Sequence, residues 1–121
     1  MAALMVFAVN HAGIRLKVRL LPTVRDVHRE FRQGSAWRAR GKMVHAFFLP
    51  NRAANRRHIG TIVLPSNGRL AELIPHEVTH AVLDKIGGVH CSADEACATA
   101  IGVLSARIAR KIGRKFEVRY D

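Results

Sequence analysis

The chain has only two cysteines, Cys91 and Cys97, and they do not form a C-x-x-C pair. A disulfide scaffold needs more, so both read as reduced thiols in a cytosolic setting, small residues of the core. No apolar run approaches the length of a membrane-crossing helix. The stretch 2–9 is apolar but only eight residues long, with no basic start and no A-x-A cleavage site. It reads as a strand and not as a signal peptide. A cytoplasmic protein without a membrane partner is expected. There is no internal repeat and no low-complexity linker. Acids are scarce: 9 Asp and Glu stand against 20 Lys and Arg, 15 of them Arg, for a net charge of +11. Such an excess suits an anionic partner, whether nucleic acid, an acidic protein or an anionic surface. The basic residues are nonetheless scattered over 15–19, 25–32, 52–57 and 107–119, and no DNA- or RNA-binding signature accompanies them. A basic surface without a dedicated partner therefore stands beside the first reading.

What is present fits one folded domain, residues 1–121, in which hydrophobic residues make up 49%. Two apolar runs, Ala3–Val9 and Ile14–Leu20, flank Asn10-His11-Ala12-Gly13, which reads as a hairpin turn. Pro22 and Thr23 open a helix with a buried stripe of Val24, Val27 and Phe31, ended by Gly34. Lys42–Leu49 reads as a strand, 50–57 as a basic loop, and His58–Leu64 as another strand stopped by Pro65-Ser66-Asn67-Gly68. A helix over Arg69–Ile86 follows, with Pro75 tolerated as a slight bend and Gly87-Gly88 as its cap. Ser92 caps a last helix to about Ile112, striped by Ala100, Leu104, Ile108 and Ile112, with Ile101 adjoining. Residues 116–120 read as a short terminal strand.

Inside the expected helix Arg69–Ile86 lies His76-Glu77-Val78-Thr79-His80, the pattern H-E-x-x-H. Residues four apart share a helix face, so both imidazoles can point at one centre. Two neutral imidazoles at that spacing can hold Zn²⁺, and Glu77 stands where it can take a proton from water. Its neighbours Leu73, Ile74, Val78, Ala81, Val82 and Leu83 are apolar or small, as a buried metal-bearing helix requires. The plainer alternative is a helix with two ordinary histidines and a surface glutamate. Asp84 and Glu72 lie on the histidine row and are either solvated acids or acceptors for an imidazole N–H. His11, His28, His45 and His58 have no ligand spacing.

The order of elements around the motif resembles the minimal gluzincins, the compact glutamate-ligand branch of the zincin metallopeptidases. It also resembles small peptidases encoded by tailed phages. The resemblance covers about 21–113. It implies an α+β, zincin-like fold: a small mixed sheet packed on a backing helix, an H-E-x-x-H helix, and a following helix that carries a glutamate. It implies one Zn²⁺ per chain held by His76, His80 and Glu95, with Glu77 as the general base of peptide-bond hydrolysis. It also implies a polypeptide substrate added as an antiparallel strand along an exposed edge at His58–Leu64.

Glu95 has a second role open to it. Ser92-Ala93-Asp94-Glu95 reads as a capping box, in which Glu95 would bond back to the Ser92 amide. His90, ten residues after His80, is the rival third ligand, with Cys91 beside it. Its use would shift the resemblance towards the SprT-like proteases or the three-histidine zinc endoribonucleases. The metzincin pattern fails, since its glycine and third histidine would fall on Leu83 and Ile86. His90 and Tyr120 are the groups whose chemistry suits polarising a carbonyl. Beside the peptidase stand two other functions: a zinc-dependent endoribonuclease using His76, His80 and His90, and a non-catalytic module that binds nucleic acid or protein.

Overall fold

The computed structural model describes residues 3–34, 43–53, 57–86 and 95–114. Their elements are β1 (Met5–His11), β2 (Ile14–Leu21), α1 (Val24–Gly34), β3 (Phe47–Pro50), β4 (Gly60–Pro65), α2 (Leu70–Ile86) and α3 (Glu95–Gly113). The fold is a small α+β arrangement of a four-stranded mixed sheet and three helices. The expected caps at Gly87-Gly88 and Ser92 and the expected strand at 116–120 lie outside the described residues.

The sheet runs in the order β1-β2-β4-β3. β1 and β2 form the expected hairpin, closed more tightly than the four residues suggested. His11 already pairs with Ile14, and Ala12 and Gly13 alone make the turn, both at positive φ (50° and 79°). β2 pairs parallel with β4, and α1 lies in the connection between them. β3 pairs antiparallel with β4 from Phe47↔Val63 to Pro50↔Gly60. A Cβ on Gly60 would meet the Leu49 carbonyl and the Phe48 ring at 2.5 Å, so only glycine lets β3 approach here.

The strand expected over His58–Leu64 is therefore corrected in its place. β4 is an inner strand bonded on both sides, with no free edge for a substrate. The reason is its composition. Ile62 and Leu64 enter the large core on one face while Val63 enters a second cluster on the other. A strand buried on both faces reads as a continuous apolar run. Among the described residues the edge strands are β1 and β3. The strand expected over Lys42–Leu49 is also shorter than its sequence suggested, since residues 43–46 are irregular.

α1 covers one face. Val27 packs with Leu21 and Val63, and Phe31 meets Phe47 edge to face at 5.4 Å. Its start is a box in which Thr23 Oγ1 accepts the Asp26 amide and the Asp26 carboxylate accepts the Thr23 amide and hydroxyl. The Asn67 side-chain oxygen Oδ1 accepts a further amide, that of Val24. α2 and α3 cover the other face, where Ile74, Val78, Ala81 and Val82 meet Leu16, Val18, Leu20 and Ile62, and Leu104, Ile108 and Ile112 close the layer. Each fully buried Leu or Ile of this layer contributes about 1.5–3 kcal/mol.

Cys97 is disulfide-bonded, not the reduced thiol expected from the cysteine count. Two cysteines are too few for a scaffold but sufficient for a single crosslink, so the count carried no information on this point. The inference of a reducing compartment from cysteine usage falls with it. No helix among the described residues is long and apolar enough to cross a membrane.

Candidate metal centre on α2

α2 runs unbroken through Pro75. The proline stands in the second turn and removes only the amide that would bond the Ala71 carbonyl. Thr79 Oγ1 donates to the Pro75 carbonyl at 2.7 Å, a back-bond of the kind that bends a helix locally. Leu70, Ile74, Val78, Ala81 and Val82 form the buried stripe. His76 and His80 fall about 170° and about 130° from its centre and are exposed. Glu77 sits between stripe and histidines and is buried, with 5% of its surface exposed.

The two imidazoles face each other. His76 Nε2 and His80 Nε2 are 3.2 Å apart, and the rings meet edge to face with centroids 4.8 Å apart. Two nitrogens bound to one tetrahedral zinc at about 2.0–2.1 Å lie about 3.3 Å from each other. The 3.2 Å separation is that of two adjacent ligands of one zinc, and it is equally that of one N–H···N hydrogen bond between the rings. Glu77 Oε2 lies 3.9 Å from His76 Nε2, too far for a direct hydrogen bond and suited to holding a water between them. Burial raises the Glu77 carboxyl above its ordinary value of 4.5, and the charges of His76 and His80 draw it partly back.

The remaining site residues are placed less closely. Among the described residues no third histidine, cysteine or carboxylate completes a metal-holding group with the two imidazoles. Glu95 opens α3 and is exposed, outside such a group. His90, Cys91, Asp94 and Tyr120 lie outside the described residues. Asp84, read as either a solvated acid or an acceptor for an imidazole N–H, accepts from Arg52 Nη2 at 3.0 Å. Glu72 is exposed and stands 3.8 Å from Arg69.

The Arg52–Asp84 pair has no signal in the sequence, because its partners are 32 residues apart. It matters for the site. Arg52 stands two residues after β3, and Asp84 is one turn beyond His80 on the same helical row, so the pair ties the end of β3 to the histidine side of α2. Asn51 braces the same corner. Its amide donates to the Ile59 carbonyl at 2.9 Å and its side chain to the His58 carbonyl at 3.1 Å. The sequence does carry a signal for the correct edge, since the unalternating run Ile62-Val63-Leu64 marks a strand covered on both faces. The chain matches no protein family, no characterised protein and no solved structure.

Proposed function

We propose that the protein is a zinc-dependent metallopeptidase of the minimal gluzincin kind. One observation carries this reading: two imidazole nitrogens 3.2 Å apart with a buried carboxylate oxygen 3.9 Å from one of them. His76 and His80 would hold the metal, with Glu95 of the first turn of α3 as third ligand and His90 as its alternative. Zinc bound there would supply a Lewis acid that acidifies water and polarises a carbonyl.

The chain's own groups do the rest. Glu77 accepts a proton from the attacking water and returns it to the leaving amine. Its burial suits that task twice over. It makes the carboxylate a stronger base than a solvated one, and it fixes the side chain beside the histidines. The outer edge of β3 receives an extended polypeptide by main-chain hydrogen bonds. The Arg52–Asp84 pair holds that edge beside the histidine row, so the bound backbone passes the base.

Glu77→Gln keeps the shape of the site and removes the base. It is expected to retain zinc and to lose chelator-sensitive cleavage of an unstructured polypeptide, by 100-fold or more on the scale of about 10²–10⁴ for a general base. Single-stranded RNA offered to the same preparation separates the other enzyme. Cleavage of RNA with no cleavage of polypeptide would replace the peptidase with the endoribonuclease.

A further inference from the structure

Three of the fifteen arginines come together at one place that the metal centre does not use. Arg25, Arg29 and Arg32 are spaced four and three residues apart on α1, hence on one helical face, and all three are exposed. They line a groove of about 560 Å³ together with His28, Gln33 and Met43. We infer that this groove binds the phosphodiester backbone of a nucleic acid, independently of the metal centre.

Four observations support the inference. First, no carboxylate among the described residues lines the groove. The two acids of α1 are engaged elsewhere: Asp26 caps the helix and is only 13% exposed, and Glu30 binds Arg19 at 2.5 Å. Asp26 stands 3.9 Å from Arg29, a loose contact, and among the described residues Arg25 and Arg32 have no carboxylate within ion-pair distance. Second, the placement works against the helix. Arg25 occupies the first turn, where the helix dipole disfavours a cation. Arg25–Arg29 and Arg29–Arg32 are like-charge neighbours at i,i+4 and i,i+3. A bound anion relieves both. Third, the Nδ1 atom of His28 accepts the Val44 amide at 3.0 Å. A ring that accepts through Nδ1 has Nε2 as its N–H donor, and His28 is among the residues that line the groove. Fourth, the row of guanidinium groups extends about 10 Å along the helix, which suits a run of phosphates and exceeds the reach of one small anion.

The chemistry also favours nucleic acid over other anionic partners. The guanidinium fork matches phosphate oxygens in pairs. A membrane surface would ask for apolar side chains to enter it, but Val27 and Phe31 of α1 face the sheet and, among the described residues, Met43 is the one apolar residue lining the groove. α1 lies on the sheet face opposite α2 and α3, so occupation of the groove leaves His76, Glu77 and His80 open.

Binding of the full chain to a labelled mixed-sequence oligonucleotide, single- and double-stranded, tests this over a series of salt concentrations. The triple variant Arg25→Gln, Arg29→Gln, Arg32→Gln is compared with Arg69→Gln, Arg110→Gln, Arg114→Gln, which removes the same charge elsewhere. The first is expected to lose at least about tenfold in affinity and to lower the slope of log affinity against log salt by about 2–3, near 0.7–0.9 for each contact removed. The control set is expected to lose far less. Replacing the three groove arginines with lysine should keep most of the salt slope while weakening binding, because the charge remains and the fork is lost. Circular dichroism confirms that each variant is folded. Equal losses in the two glutamine sets would overturn the proposal in favour of diffuse charge. So would undiminished binding by the groove variant, or wild-type binding to polyglutamate or anionic vesicles but not to the oligonucleotide.

Discussion

Glu77 is the residue on which structure and chemistry meet. A carboxyl whose folded-state pKa is raised binds its proton more tightly in the native state than in the unfolded chain. Between the ordinary value of 4.5 and the raised value the native state therefore holds more protons, and stability falls as pH rises through that window. Glutamine has no proton to lose. In metal-free protein Glu77→Gln is expected to be more stable than wild type near neutral pH, with the difference shrinking as pH falls towards 4.5. Urea denaturation midpoints of both proteins over a pH series measure it. A difference that stays constant, or grows on acidification, would mean that burial does not dominate at this carboxyl. The third ligand is also a question of single residues. If Glu95 binds metal, Glu95→Gln should release most of the zinc from a chain that still folds when metal is added. As a capping residue alone it would cost at most about 1 kcal/mol and leave zinc in place. Zinc lost on His90→Ala and kept on Glu95→Gln would transfer the role to His90.

At the scale of elements, α2 departs most from ordinary propensity. A proline in a helix interior costs about 3 kcal/mol or more, yet the helix is continuous from Leu70 to Ile86. Pro75→Ala is expected to raise stability by roughly 1–3 kcal/mol, read as a higher denaturation midpoint at unchanged slope. An unchanged or lowered midpoint would show that the local bend is needed to seat Ile74 and Val78 on the sheet. The helices were legible because their signals are local. Of the Val24, Val27 and Phe31 stripe only Val27 is fully buried, whereas the start of α1 after Pro22 and Thr23 and the Ala100, Leu104, Ile108 and Ile112 series each lie within one element and appear in the fold. So does the facing of His76 and His80, which follows from a spacing of four on any helix. The sheet was legible only in part, because strand order depends on contacts far apart in sequence. The edge expected at His58–Leu64 belongs to β3 because the β4 run Ile62-Val63-Leu64 is covered on both faces. The Arg52–Asp84 tie, the His28–Val44 bond and the grouping of three arginines over one groove likewise need the fold before they exist.

Taken whole, the molecule places its two chemically distinctive surfaces on opposite faces of one sheet. The histidine row of α2 lies on the side shared with α3, and the arginine row of α1 on the other. Neither surface borrows residues from the other, so each is testable in a chain that keeps its partner intact. The histidine row carries the functional claim, and the zinc content of the purified chain tests it most directly. Elemental analysis of protein prepared without added metal is expected to find one zinc per chain in the wild type, and almost none after the double substitution His76→Ala, His80→Ala in a protein that remains folded. Full retention of zinc by that folded double variant would contradict the assignment of the metal to these two histidines.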